Sequence, residues 1–133
     1  MTPEKVVKNF ARCSDWEERY LYLIELGEQL PNFPQEQMTE QFLLPGCHSR
    51  VWLVQRYQDD QLNIRATSDA ALVKGLLKLV LIAYDGKSKN QVCDFDIEAW
   101  FKQLELSSHL SPSRTQGLEA MVRAITAFAV HND

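Results

Sequence analysis

The strand-like patterning of this 133-residue chain is concentrated in its middle, in a stretch long enough for a pair of strands. Val51 to Tyr57 is rich in β-branched and aromatic residues. Leu62, Ile64 and Ala66 then alternate with Asn63, Arg65 and Thr67, and Asp59-Asp60 between the two runs is a turn signal. A lone hairpin is marginal in water, so this one has to be covered by helices. A third strand is expected just before Pro45.

The rest of the chain has helical spacing. A first helix is expected over Pro3 to Ala11, with Val6, Val7 and Phe10 on its apolar face. Ser14 and Glu17 read as a capping box opening a helix from Asp15 to Gln29, ended by Pro31 and Pro34. Ser68 or Asp69 caps a helix running to Tyr84, with Leu72, Leu76, Leu79 and Val80 inward, Lys74 and Gly75 serving helix packing, and Asp85-Gly86 as its stop. Ser88 with Gln91 is a further capping box, and Asp96 caps the helix of Ile97, Trp100, Phe101 and Leu104. Ser111-Pro112 is an N-cap followed by proline at N1, and Leu118, Met121, Val122, Ile125 and Phe128 form the buried stripe of the last helix. Trp16, Trp52 and Trp100 are expected in the core. The pattern defines an α+β fold: a small antiparallel sheet packed against helices, mostly on one face.

Composition narrows the function classes. With 45% hydrophobic and 24% charged residues, the chain is neither disordered nor fibrous. Eighteen acidic residues outnumber fourteen basic ones, for a net charge of −4, which argues against nucleic acid as a partner. The apolar run from Leu76 to Tyr84 is broken by Lys78 and falls short of the ~20 residues that span a bilayer, so no membrane partner is expected. No repeat or linker divides the chain, so residues 1–133 are expected to form one domain. No apolar leader opens the sequence either, and a cytoplasmic location follows as the expectation.

Three cysteines, Cys13, Cys47 and Cys93, form no CxxC pair, and their odd count suits a reducing compartment. His48, His109 and His131 supply no short-range ligand pair, so no metal site is expected. Cys13 and Cys93 fall in or beside helices and are expected to be small core hydrophobes. Cys47 stands apart in Leu43-Leu44-Pro45-Gly46-Cys47-His48-Ser49-Arg50, where Pro-Gly marks a turn that presents the thiol on a loop. His48, Arg50 and loop amides are positioned to lower its pKa. His48 is badly placed as a catalytic base, because successive side chains of extended backbone point apart, and His109 reads as a solvated loop residue. The residues alone leave Cys47 open between a reactive thiol and a structural one. A self-standing cysteine enzyme lacks its base.

The segments FARCSDWEERYLYLIELGEQLP, PGCHSRVWLV, SDAALVKGLLKLVLIAYDG and HLSPSRTQGLEAMVRAI, in that order, resemble the SufE-type sulfur acceptors (the SufE and CsdE proteins) over nearly the whole chain. The resemblance implies an IscU-like α+β fold. It also implies that Cys47 takes sulfane sulfur, as a persulfide, from a cysteine desulfurase of the SufS or CsdA kind. The sulfur then passes to a downstream acceptor such as a cluster scaffold. Such a protein stimulates its donor and needs no cofactor, the pyridoxal phosphate being the donor's. Relatives imply a homodimer. Gly46, His48, Ser49, Arg50, Asp69 and Arg114 lie in the matching segments and are expected at the partner surface. His48 departs from the family pattern, in which glutamine often stands. Arg114 is set to reach a thiolate or a partner carboxylate, with a surface salt bridge as the plainer role. Asp69 is equally well explained as a helix cap. Two other readings remain: an iron–sulfur scaffold or other metal-binding protein, and a non-covalent desulfurase adaptor.

Overall fold

The computed structural model describes residues 1–47 and 49–131. Helices α1 (Pro3–Arg12) and α2 (Trp16–Glu28) come first. Two single 3₁₀ turns follow, at Gln35–Gln37 and Glu40–Phe42. Strands β1 (Val51–Gln58) and β2 (Gln61–Ser68) then form the hairpin. Helices α3 (Ala71–Tyr84), α4 (Lys89–Asp94), α5 (Ile97–Gln103), α6 (Leu106–His109) and α7 (Pro112–His131) complete the chain. The expected α+β class is what the structure has.

Asp59 and Asp60 both adopt positive φ, 54° and 66°, which is the two-residue turn geometry that matches strand twist. The turn fixes the register from Gln58 opposite Gln61 to Val51 opposite Ser68. Directly opposed residues share a face, so Val51, Leu53, Gln55 and Tyr57 lie beside Ser68, Ala66, Ile64 and Leu62. Helices α3 and α7 cover that face: α3 packs on β2, while Gln55 donates to the Ala124 carbonyl of α7 and the Tyr57 ring stacks on Phe128. Trp52 points the other way and is only half-buried, as is Trp16; Trp100 alone of the three tryptophans is buried.

The expected third strand shrinks to a single bridge. Leu43 pairs with Trp52, and the Leu44 amide donates to the Val51 carbonyl at 2.8 Å. Pro45 has no N–H to extend the ladder, and Gly46 turns the chain away at φ 89°. On the far side, the turn after α3 closes the edge of β2. There the Ile64 amide donates to the Asp85 carboxylate at 2.9 Å, Leu62 donates to the Lys87 carbonyl, and Gly86 donates back to Leu62. An edge occupied in this way does not template further pairing.

Most helix starts follow their local signals. Ser88 and Gln91 make the reciprocal capping box, Asp96 accepts from the Ala99 amide, and Ser111 accepts from the Arg114 amide. The box at α2 is shifted by one residue. Asp15 is the cap, and Glu18 reaches back to the Ser14 amide at 2.8 Å, aspartate being as good a cap as serine. At α3 neither expected cap acts as one; the N-cap position is Ala70, without a side-chain bond. Asp69 accepts instead from the Arg50 amide at 3.2 Å.

The core gathers Val6 and Phe10 of α1, Leu23 and Leu26 of α2, the inner residues of β2, and Leu76, Leu77, Leu79 and Val80 of α3. Leu118, Met121 and Ile125 of α7 close it, while Leu72, Val122 and Phe128 pack half-buried at its margin. No helix among the described residues is long and apolar enough to cross a membrane. Tyr84 is 1% exposed, and burial, helped by the nearby Cys93 thiol, pushes its pKa up to about 12. The unfolded phenol loses its proton near ~10, whereas the folded one keeps it, so stability falls as pH rises from there toward 12. The loss should total roughly 3 kcal/mol. Urea melts at pH 8, 10 and 11.5 should show it, and Tyr84→Phe should flatten the dependence.

Candidate functional site

The loop from Leu43 to Arg50 is held at both ends. Leu43 and Leu44 tie its start to β1, and Arg50 is clasped at its end. The Arg50 carbonyl accepts from the Ser68 hydroxyl at 2.6 Å and from the Asp69 amide at 3.4 Å, while its amide donates to the Asp69 carboxylate. Between these anchors, Gly46 supplies the left-handed turn that a bulkier residue adopts only with strain, and Cys47 follows it half-buried.

The Cys47 thiol faces the first turns of α7 and donates to the Gly117 carbonyl at 3.8 Å, a weak contact of the kind sulfur makes. It opens into a cavity of about 210 Å³. Val73, Leu76 and Met121 give that cavity an apolar floor, and Ser49, Ser111, Ser113 and Arg114 give it polar walls. Ser111 and Ser113 place their hydroxyl oxygens 3.3 Å apart beside the Arg114 amide.

Burial pushes the Cys47 thiol pKa up, the reverse of the lowering expected from its neighbours. The reason is positional. The side chain turns inward against the Gly117 carbonyl and the apolar floor, where a charged sulfur loses its water. The docked group is therefore a protonated thiol at neutral pH. Alkylation of Cys47, followed on its own peptide, should rise with pH to an inflection above the ~8.5 of a free thiol. An inflection below that value would contradict this seat.

The expected partner-surface residues divide into three groups. Ser49 and Arg114 line the cavity with Cys47, and Gly46 forms the turn beside it. Arg50 and Asp69 form the clasp, both exposed. His48 lies outside the described residues. Ser111, Ser113, Gly117 and Met121 were not among the expected site residues, although an isolated glycine inside a helical pattern costs stability and so points to a packing or functional reason.

The other thiols sit elsewhere. Cys93 is exposed on α4, contrary to the expectation that it packs in the core, because that six-residue helix turns Val92 inward instead. Cys13 is half-buried, its thiol donating to the Asn9 carbonyl at 3.5 Å and its pKa raised by burial, then by Glu18. His109 stacks on Trp16 at 4.0 Å, and its carbonyl accepts from the Tyr20 hydroxyl. A larger groove, about 640 Å³, lies between α5, α6 and α7, and among the described residues no cysteine or histidine lines it. Among the described residues no group of three His, Cys, Asp or Glu side chains is placed to hold a metal ion.

A hairpin covered by helices, with one thiol seated in a small cavity at the start of the last helix, defines an α+β domain built around a single cysteine loop. The solution structure of a hypothetical protein from Thermus thermophilus has a similar fold, with a TM-score of 0.77 over 98% of this chain and 96% of that one at 18% identity. The SufE family model, described as an Fe-S metabolism associated domain, matches residues 4–129, and the chain belongs to that family. Its role is accordingly in iron–sulfur metabolism.

Proposed function

We propose that this protein is a sulfur acceptor and carrier, taking sulfane sulfur from a cysteine desulfurase onto Cys47 and passing it on for iron–sulfur cluster assembly. Family membership supports the pathway. The observation that carries the chemistry is the seat of Cys47, the only cysteine lining the cavity at the start of α7, on a loop anchored at both ends.

The thiolate of Cys47 attacks the outer sulfur of the donor's cysteine persulfide. A new S–S bond forms at Cys47, the donor's S–S bond breaks, and the donor cysteine leaves as a thiolate, with no net oxidation. Attack needs the thiolate, and burial raises the pKa of the docked thiol, so the proton has to be given up as Cys47 meets the donor. The Pro45-Gly46 turn lets the loop present it. The carrier needs no cofactor of its own, the pyridoxal phosphate belonging to the donor.

A scaffold needs several ligands converging on the cluster, and the described residues offer no such group. Cyanolysis of the protein after exposure to a desulfurase and cysteine should release thiocyanate in nearly stoichiometric yield. A yield near zero, or iron- and sulfide-dependent colour after anaerobic reconstitution, would contradict the carrier reading.

A further inference from the structure

We infer that Gly117 sets the size of the seat for carried sulfur: the hydrogen in place of a side chain leaves the room that the outer sulfur of a Cys47 persulfide occupies. The inference rests on the acceptor function proposed above and adds a residue that determines what the seat admits.

Glycine at this position needs a reason. It lies inside the 20-residue helix α7, where glycine is unfavourable relative to alanine. Its φ is not positive, unlike that of Gly46 and Gly86, so the backbone does not demand it. Nor does a neighbouring backbone press on it, as happens at Gly75. Among the described residues, a Cβ built on Gly117 meets only Cys47, 3.6 Å from Sγ and 3.9 Å from Cβ. Those are ordinary contacts, and a thiol tolerates them.

A persulfide does not. Its second sulfur stands ~2 Å beyond the first. The Cys47 Cβ, its Sγ and the added carbon would make nearly a right angle at sulfur, close to the direction in which an S–S bond leaves. An outer sulfur turned toward α7 then overlaps the methyl group. With glycine it has the cavity, whose floor of Val73, Leu76 and Met121 suits a polarizable, weakly hydrated atom. One methyl group added at this position would thus exclude the loaded carrier while still admitting the empty one.

The test loads wild type and Gly117→Ala with sulfur from a desulfurase and cysteine, removes the donor, and follows iodoacetamide alkylation of the thiol and persulfide forms on the Cys47 peptide. Thermal melts check that the variant folds. The ratio of persulfide to thiol alkylation rates should rise about tenfold in Gly117→Ala, because the loaded group no longer docks while the free thiol still does. An unchanged ratio would overturn the inference and leave the acceptor reading standing. Equal acceleration of both forms would also overturn it, since the seat as a whole would have loosened. Failure of the wild type to take sulfur at all would remove the acceptor reading, and this inference with it.

Discussion

Cys47→Ser should reduce stimulation of a cysteine desulfurase to the unstimulated rate while leaving the fold intact. The hydroxyl is nearly isosteric with the thiol and keeps a donor for the Gly117 carbonyl, but it forms no persulfide. The side chain is half-buried and its hydrogen bond to Gly117 is long, so its replacement should cost about 1 kcal/mol or less. That corresponds to a shift in Tm of no more than about 5 °C. Turnover assays with excess cysteine, alongside thermal melts, separate the two effects. Full stimulation by the serine variant would make the protein an adaptor that acts without covalent transfer.

Gly75→Ala should have the largest effect on stability of any single methyl group added to this chain. At the crossing of α2 and α3 the two backbones touch. A Cβ on Gly75 falls 2.2 Å from the Leu23 carbonyl oxygen and 2.6 Å from its carbon. The facing position is as tight, since a Cβ on Gly27 falls 2.7 Å from the Gly75 nitrogen. No rotamer change relieves a clash between backbones, so the helices must move apart and strip contacts from Leu23, Leu26 and Leu76, all buried. Alanine returns about 1 kcal/mol of helix propensity. The separation costs more, for a net loss of about 3 kcal/mol and a fall in Tm of roughly 10 °C. Gly117→Ala, whose added methyl meets Cys47 at ordinary contact distance, is the natural control and should not destabilise the fold. A Gly75→Ala variant melting within ~2 °C of wild type would show that the crossing is not as close as described.

Elements with local causes were legible in the sequence. The Asp59-Asp60 turn, the Ser88/Gln91 box and the Ser111-Pro112 start all depend on residues near one another in the chain, and each appears where expected. The misreadings have tertiary causes. A strand before Pro45 depends on how far a segment runs beside β1, and it runs for one bridge. Cys93 depends on which side of a six-residue helix turns to the core, and Val92 takes that side. Cys47 stands out by its Pro-Gly context, but its seat is built by Gly117, seventy positions along the chain. No spacing rule near Cys47 points to that partner. The same distance explains the misjudged electrostatics: adjacent cationic residues suggest a lowered pKa, whereas the walls brought in by α3 and α7 raise it.

The most direct measurement is the intact mass of wild type and Cys47→Ser after incubation with a pyridoxal-phosphate-dependent desulfurase and cysteine. The account predicts a gain of one sulfur atom on the wild type and none on the variant. A gain on Cys47→Ser, or no gain on the wild type with a donor that forms its own persulfide, would contradict it.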